Sequence, residues 1–429
     1  MEEHRPLSES LDYIQFQFTT IFGTLRAVEF PASLWGEMCE GAGVDGSSLG
    51  FLRTEQSDMR VMPDPGSFAV LPWDVRVARL ICDIQDNDGS PHSTCPRTIL
   101  KKVVASAQER GFTYKTRPEL EWYYVNSDVT PADAGGYMDT MPYDTYSYLR
   151  RSTMDDLQAM GAAVKTIHHE NGPGQQEFEF VEGDALKQAD DVQTAKMVVK
   201  TNALMEEVIA TFMPKPFPEE AGSGLHIHQY LTRGGENIFA DPDRGVSEFL
   251  VHFVGGIMDH VDAMTAFLNP TTNSYKRLVP GHEAPVYKSW GVANRTALVR
   301  IPGYEKSARV EYRAPDCSTN IYLASALLLA AGLDGVERKT EPMQPTRENV
   351  EKMTAKRRKE LGITQLPSSL GDALDHLESS GFVRRVLGEE MVDICLDKKR
   401  QELREYLEAE RLGESEARAW EIKRYLERS

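Results

Sequence analysis

The hydrophobic pattern of this chain changes near residue 96, and that change limits the folds open to it. Through about the first ninety residues apolar and polar side chains alternate, as at Ile14, Phe16 and Phe18, and Gly23 separates this run from the next. Alternation with a period of two is typical of a half-buried strand, and a glycine between two such runs indicates a hairpin. Residues 77–84 have the pattern of a further strand. The sequence therefore predicts a small β-rich domain over residues 1–95.

Beyond residue 96 the patterns of strands and of longer helices are mixed. The expected helices are Arg97–Arg110, Thr145–Met160, Ala185–Phe212, Val246–Phe267 and Ile321–Lys339. The expected strands are Glu119–Val125, Val164–His169, Phe178–Glu182, His226–Leu231, Ala297–Ile301 and Ala308–Tyr312. From about residue 347 onward the pattern is almost wholly helical. This order predicts an α+β protein whose larger domain, residues 96–429, contains a sheet backed by helices.

The charge, the apolar runs and the cysteines exclude several classes of protein. The formal net charge is −18, and nucleic-acid binding requires clustered Lys and Arg, so we expect no nucleic-acid partner. The longest apolar stretch, Ile321–Leu333, is too short to span a bilayer, and the polar start carries no signal-peptide pattern, so we expect no membrane association. The five cysteines lack CxxC spacing, which predicts reduced thiols in a cytoplasmic protein.

Two carboxylates at strand spacing are the first candidates for chemistry. Glu119 and Glu121 alternate with Leu120 and Trp122. Residues two apart on a strand share a face, so burial of the apolar pair points both carboxylates the same way. A strand with one solvated face has the same pattern, and taken alone this plainer interpretation is the better one.

A second acidic pair flanks a predicted turn. Glu170 ends one strand after His168 and His169, and Glu177 starts the next strand beyond a Gly/Pro turn. Such a turn can bring two carboxylates together. Two solvated loop acids are the alternative, and the two histidines could equally be packing residues.

Two further groups lie on predicted strands. His226 and His228 follow a Gly-Ser-Gly run and share one strand face, although an HxH pair is more often a packing or surface pair than a metal site. Arg309, Glu311 and Arg313 line another face, where they could form a self-neutralising surface ladder or a metal ligand flanked by anion-binding guanidinium groups.

Together these groups supply several candidate ligands for a divalent cation. They are Glu119, Glu121, Glu170, Glu177, Glu311 and His226. Hard cations such as Mg²⁺ or Mn²⁺ prefer carboxylate oxygens, and two such ions can bridge the phosphates of ATP. The chain has no P-loop and no dinucleotide fingerprint, so a nucleotide enzyme of this sequence would have to use the metal–carboxylate route. Spacing alone leaves that interpretation open.

Longer motifs carry a family resemblance. The run NPTTNSYKRLVPG at residues 269–281 is followed by EAP at 283–285, NR at 294–295 and RIP at 300–302, and DGSS at 45–48 and SDM at 57–59 precede them. In these ordered motifs the chain resembles the glutamine synthetase family over nearly its whole length. The resemblance implies a β-grasp-like first domain and a catalytic domain with a curved antiparallel sheet backed by helices.

The resemblance also implies roles for individual residues. Glu121, Glu170 and Glu177 would hold one metal ion, and Glu119, His226 and Glu311 a second, within a total of two or three Mg²⁺ or Mn²⁺ ions. Arg295, Arg300 and Arg309 would contact the phosphates of ATP with His228 nearby, and Arg277, Arg313 and the Gly222 backbone would bind glutamate. Glu283 would lie in a flap over glutamate, and Asp45 would form the ammonium pocket with Ser48, Tyr137 and Glu170.

The implied activity is the ATP-dependent ligation of ammonia to the γ-carboxylate of glutamate through a γ-glutamyl phosphate. Asp45 would take the proton from ammonium, because only the neutral amine has a lone pair for attack. In the family this aspartate comes from a neighbouring subunit, which implies a homo-oligomer with shared active sites, commonly a dodecamer. The expected partners are thus small-molecule substrates and further copies of the chain.

One departure from the family pattern keeps a second activity open. Members that use ammonia usually have Asn directly before the Gly-Ser-Gly run, where this chain has Ala221. In this feature it is similar to relatives that join glutamate to a polyamine or an alkylamine, although such relatives often lack the flap glutamate, present here as Glu283. A non-catalytic relative is a third interpretation, and retention of all six candidate metal ligands is against it.

Overall fold

Six strands from the first part of the chain form one sheet. The structure, a computed structural model, describes residues 11–51, 57–243, 245–281, 284–302 and 308–429. The six strands are β1 (Tyr13–Thr19), β2 (Leu25–Pro31), β3 (Ala42–Asp45), β4 (Asp58–Pro63), β5 (Ala69–Leu71) and β6 (Asp74–Gln85), with the short helix α1 (Trp35–Met38) between β2 and β3. Their order is β2-β1-β6-β4-β3, and β5 pairs with β6. The predicted hairpin at Gly23 is confirmed by the antiparallel β1–β2 pair.

Ten strands form the second sheet. They are β7 (Thr113–Val125), β8 (Val164–His169), β9 (Gln175–Phe180), β10 (Gly183–Asp184), β11 (Ile209–Thr211), β12 (Leu225–Arg233), β13 (Glu236–Asn237), β14 (Trp290–Val292), β15 (Val299–Ile301) and β16 (Val310–Tyr312). The main order is β14-β15-β16-β12-β7-β9-β8. The expectation of an antiparallel sheet needs one correction, because β14 runs parallel to β15.

Helices pack around the ten-stranded sheet and fill the second half of the chain. They are α2 (Pro96–Glu109), α3 (Ser147–Ala159), α4 (Ala185–Met205), α5 (Glu248–Leu268), α6 (Ser274–Arg277), α7 (Ile321–Arg338), α8 (Ala355–Glu360), α9 (Leu370–Glu378), α10 (Gly381–Leu387), α11 (Glu389–Leu412) and α12 (Glu414–Tyr425). The α+β class expected from the sequence is confirmed. In the described part of the chain, no helix has both the length and the apolar character needed to cross a membrane.

The prediction of one continuous helix over Ala185–Phe212 was wrong. Helix α4 ends at Met205, Glu207 adopts a left-handed backbone with φ of 58°, and β11 follows at once. Ile209–Thr211 then pairs with the far end of β7. Pairing with an available strand edge therefore overrides the helical period of the sequence here, and the branched side chains of β11 suit a strand.

The two faces of β7 differ in chemistry, and this difference positions the site. Leu120 and Trp122 are fully buried on the helix side of the strand. The indole ring of Trp122 lies 4.6 Å from the ring of Phe178 and 6.3 Å from that of Phe212. Because side chains alternate along a strand, this packing turns Glu119 and Glu121 to the opposite face.

A buried arginine joins the six-stranded sheet to two helices of the larger domain. Arg97, at the start of α2, is only 3% exposed. Its guanidinium donates to Asp190 on α4 at 2.9 Å, to Asp83 on β6 at 3.0 Å and to Asp64 after β4 at 2.6 Å. One guanidinium therefore binds three carboxylates from both parts of the chain, and Asp83 also pairs with Lys101.

We predict that Arg97→Gln destabilises the fold by about 3–5 kcal/mol, because it leaves the buried carboxylate of Asp190 without its ion-pair partner. Urea denaturation followed by fluorescence measures the change. Arg110→Gln is the matched control, since Arg110 pairs with Glu337 in an exposed ion pair at 2.5 Å and its loss should cost less than about 1 kcal/mol. Equal changes in the free energy of unfolding for the two substitutions would show that the buried cluster stabilises the fold no more than an exposed ion pair does.

Candidate active site

Strand register concentrates carboxylates on one face of the ten-stranded sheet. Glu121 on β7 lies directly opposite Glu177 on β9, and Glu119 lies opposite His226 on β12. Like charges directly opposite each other destabilise a sheet unless a cation lies between them. The sequence pattern indicated the shared face of Glu119 and Glu121, and the register now brings further ligands to the same face.

The first cluster is centred on Glu119. Its carboxylate accepts a hydrogen bond from Nδ1 of His226 at 3.1 Å and one from Nε2 of His228 at 2.7 Å. Burial alone would raise the pKa of Glu119, but the interaction with His228 and the hydrogen bonds from both imidazoles outweigh burial and hold that pKa well below its usual range. Glu119, His228 and Glu311 each offer a ligand atom within 4.8 Å of the others.

Guanidinium groups hold Glu311 in place. Arg300 donates to one carboxylate oxygen at 2.5 Å, and Nε of Arg313 lies 3.2 Å from the other. Arg309 donates from Nε to Nδ1 of His228 at 3.1 Å. Burial favours the neutral form of Glu311, but the neighbouring His228 and the positive charge of Arg313 lower its pKa. The carboxylate is therefore ionised and can serve as a ligand.

The second cluster contains His168, Glu170 and Glu177, with ligand atoms that also lie within 4.8 Å of one another. The His168 ring is 3.5 Å from each of the two carboxylates. Burial lowers the pKa of His168, but the Glu177 carboxylate beside it raises that pKa to about 9. The imidazole is therefore a cation at neutral pH and offsets the two acids.

Glu121 lies between the two clusters. One carboxylate oxygen accepts the backbone N–H of Gly224 at 2.7 Å and the Gln175 amide at 3.3 Å, and the other is 3.9 Å from Nε2 of His226. Burial raises the pKa of Glu121 to about 7, and the negative charge of Glu177 adds to the effect. A bound divalent cation would reverse this, because it stabilises the ionised carboxylate.

The donor set fits hard divalent cations. All five carboxylates and the imidazole of the predicted metal sites, together with His228 and His168, meet within the contacts described above, and Mg²⁺ or Mn²⁺ accepts such oxygen-rich sets. The structural groupings differ from the expected ones, with His228 beside Glu119 and Glu311, and His168 beside Glu170 and Glu177. The assignment of ligands to individual ions stays a prediction.

The predicted glutamate-binding residues form a buried wall next to Glu121. Arg277 is 2% exposed and donates from Nη1 to the carbonyl of Ala314 at 2.7 Å. A Cβ atom at Gly222 would lie 2.6 Å from the Arg277 side chain, and one at Gly224 would lie 2.7 Å from its guanidinium. Only glycine therefore permits this close approach of backbone and guanidinium.

The remaining predicted residues are differently placed. The Arg295 side chain is exposed, while its carbonyl accepts a hydrogen bond from Arg313. Tyr137 is half exposed, and its ring meets the His168 ring edge-on at 5.5 Å. Burial and the charge of Glu170 raise the pKa of Tyr137, and the Arg295 charge opposes them, so both side chains face the same cleft.

Asp45 and Ser48 are not brought to this cleft. Asp45 ends β3 in the six-stranded sheet, is exposed, and accepts hydrogen bonds from the hydroxyls of Ser47 at 2.7 Å and Ser48 at 2.6 Å. These two hydroxyls lower its pKa to about 2. Within the described residues no hydrogen bond or ion pair links Asp45 to the clusters on β7. Glu283 lies outside the described residues.

Three neighbours of the clusters were not assigned a role from the sequence. His168 is the cross-strand partner of Glu177, and its spacing of two from Glu170 was the available signal. Gln175, fully buried, bridges Glu121 and the carbonyl of Gly222 at 3.1 Å. Arg117 lies opposite His228 in the sheet and pairs with Glu179 at 2.6 Å. The last two contacts depend on register, which the sequence does not specify.

Comparisons with known proteins agree over nearly the full length. The family model of the glutamine synthetase catalytic domain matches residues 93–425, and that of the glutamine synthetase β-grasp domain matches residues 10–87. The glutamine synthetase of Thermotoga maritima is 44% identical over 97% of both chains. That of Halobacterium salinarum is 43% identical over 98% of this chain and 95% of its own.

Solved structures are similar as well. A complex described as GmaS with ADP superposes with a TM-score of 0.85 at 32% identity, covering 93% of this chain and 95% of that one. Apo GmaS superposes with a TM-score of 0.86 at 31% identity, covering 93% and 94%.

We predict that Glu177→Gln weakens Mn²⁺ binding by at least about tenfold, since even groups that only orient a metal ligand contribute about 10–100-fold. Electron paramagnetic resonance of free Mn²⁺ during titration of the protein measures the affinity. The control is Asp155→Asn, an exposed carboxylate on α3, which should leave binding unchanged. Identical affinities in the two variants would place the metal elsewhere.

Proposed function

Because the chain belongs to the glutamine synthetase family, we propose that it makes glutamine from glutamate, ammonia and ATP, with divalent metal ions as cofactors. The observation that carries this proposal is the pair of acidic clusters on one face of the ten-stranded sheet beside a wall of buried guanidinium groups. Ligation of an amine to a carboxylate needs a phosphoryl transfer, and phosphoryl transfer is catalysed chiefly by positioning and charge. The site provides carboxylates for metal ions and guanidinium groups for phosphate within one cleft.

Each part of the cleft has a place in the first step. We assign Glu121, Glu170 and Glu177, and Glu119, His226 and Glu311, to metal binding, with His168 and His228 as neighbours of the two sets. Mg²⁺ or Mn²⁺ bound to these groups would neutralise the ATP phosphates. Arg277, Arg313 and the Gly222 backbone would hold glutamate so that its γ-carboxylate attacks the γ-phosphate. Arg295, Arg300 and Arg309 would stabilise the charge on the transferred group.

Arg300 has an additional part in this step. In the structure its guanidinium is engaged with Glu311. When Glu311 binds a cation, that attraction weakens, and Arg300 would be released toward phosphate. The same cation would therefore both organise the phosphates and free a guanidinium to bind them.

The second step requires a neutral amine beside the γ-glutamyl phosphate. We assign capture of ammonium to Asp45, Ser48, Tyr137 and Glu170, and the flap role to Glu283. The exposed position of Asp45, away from the cleft of its own chain, supports an active site shared between subunits. Members of this family are generally oligomeric, and we propose a homo-oligomer, with the dodecamer as the expected form, in a cytoplasmic setting.

The proposed acceptor is ammonia, as the names of the curated relatives favour. Ala221 is the residue that kept a larger amine open, and its carbonyl is held by the Tyr123 hydroxyl at 2.6 Å. This anchoring fixes the backbone before Gly222 without an asparagine side chain. The departure at Ala221 is thus compatible with an ordered glutamate pocket.

We predict that ammonium supports phosphate release from ATP and glutamate with a kcat/KM more than about tenfold above that of methylamine or putrescine. A pocket sized for ammonium loses about 1–3 kcal/mol for each extra methylene that it must exclude or accommodate. The measurement is one coupled phosphate assay with each amine at equal concentrations of free base. Faster turnover with putrescine or methylamine would support the amine ligase instead.

We predict that Asp45→Ala raises the KM for ammonium by about 100-fold or more, the usual contribution of a proton-transfer group, and leaves the Kd for ATP unchanged. Steady-state kinetics and calorimetric titration measure the two constants. Asp88→Ala is the matched control, because Asp88 is also exposed and bonded to a serine, Ser90, in a turn. Unchanged kinetics with ammonium would remove Asp45 from the reaction.

A further inference from the structure

Helix α12 presents three polar side chains on one face. Arg418, Glu421 and Tyr425 are separated by three and then four residues, the spacing at which helical side chains lie above one another. All three contact segments that lie far away in the sequence. This face therefore connects α12 to another part of the molecule.

Besides the hydrogen bond from the Tyr425 hydroxyl to Glu402 on α11 at 2.7 Å, these side chains contact two segments. Arg418 donates to the carbonyl of Pro216. Glu421 accepts a hydrogen bond from Nζ of Lys276 at 2.8 Å, and the Tyr425 hydroxyl lies 3.1 Å from the hydroxyl of Thr272. One face of α12 is thus bonded to the loop before β12 and to the region of α6.

These two segments carry predicted glutamate-binding residues. The loop that contains Pro216 continues to Gly222, and Lys276 directly precedes Arg277. The segments are also bonded to each other, because Asn273 accepts the backbone N–H of Lys215 at 2.7 Å. The two segments and α12 thus form a three-membered frame held together by hydrogen bonds. The distance from Gly222 to Arg277 depends on this frame.

Glu421 has an environment that stability alone does not explain. Its side chain is fully buried, and its second carboxylate oxygen finds no hydrogen-bond partner among the described residues. Lys276, its partner, is 40% exposed. Burial of a carboxylate costs desolvation free energy that one partly exposed lysine does not fully offset, so we attribute the contact to fixing a geometry.

We infer that Glu421 is a positioning residue for glutamate binding and that α12 holds the Gly222 and Arg277 segments in register. This inference rests on the proposed function, in which those two residues contact glutamate. Glu421 touches neither substrate nor metal ligands; it acts through Lys276. Loss of the contact would let the Gly222 and Arg277 segments move apart. Binding of glutamate would then weaken equally in the ground state and in the transition state.

The test is the isosteric change Glu421→Gln. We expect the KM for glutamate to rise by about tenfold, with kcat at saturating glutamate and the KM for ATP within about twofold of the original values, the pattern for loss of uniform binding. A merely structural role would lower the melting temperature and leave the KM for glutamate unchanged. That result would overturn the inference.

A double substitution tests the pair. Lys276→Met should raise the KM for glutamate like Glu421→Gln, and the combined variant should be no worse than either single one, because both remove the same contact. Multiplied effects in the combined variant would contradict the proposed route. Glu416→Gln is the control, since Glu416 is an exposed glutamate on the same helix, and its kinetics should match the unmodified chain.

Hydrogen exchange separates this inference from the proposed function. In Glu421→Gln the amides of residues 214–223 and 273–278 should exchange faster, while those of β7 and β9 should not. If the unmodified chain released no phosphate from ATP with glutamate, the proposed function would fail, whereas the exchange result would still report on the frame. Unchanged exchange in both segments would show that α12 does not hold them.

Discussion

The buried negative charge on one face of β7 is the constraint on which the rest of the site depends. Glu121 lies opposite Glu177 across the strands, and Glu119 lies opposite Glu179 in the same register. A sheet tolerates such pairs only when cations approach them closely. Arg117 does this for Glu179 at 2.6 Å, and imidazoles do it for the others. The face is thus neutralised by groups that a divalent ion can displace.

Such a charged face needs strong packing on the other side of the strand. Trp122 and Phe178 are fully buried there, and their rings occupy the space between the sheet and its helices. The apolar face contributes stability in proportion to the area that it removes from water. It therefore offsets the electrostatic cost of bringing carboxylates together. Since the two faces alternate along one strand, a register slip of one residue would turn the carboxylates toward the apolar core and the aromatic rings toward the cleft.

Part of this architecture follows from local patterns, and part does not. Alternation around Ile14 and Leu120 predicts β1 and β7, because the strand period is set by the backbone alone. The helical period across residues 206–212 gives a wrong prediction, because β11 in this segment pairs with β7 as a strand. The roles of Gln175 and Arg117 arise from cross-strand register, to which the sequence gives no local signal. Residue patterns supplied the candidate ligands and the family resemblance assigned them to ions, but the pairing of His168 with Glu177 emerged only in three dimensions.

The state of Asp45 bears on the order of events in amine capture. Its two serine partners keep it ionised down to a pH of about 2, so in this arrangement it is a good binder of cations and a weak base. Ammonium would therefore be held first by charge. Loss of a serine hydrogen bond would raise the pKa of the carboxylate toward its ordinary value and so lessen the cost of proton transfer. On this argument the serine hydrogen bonds of Asp45 favour capture of the ammonium cation over removal of its proton.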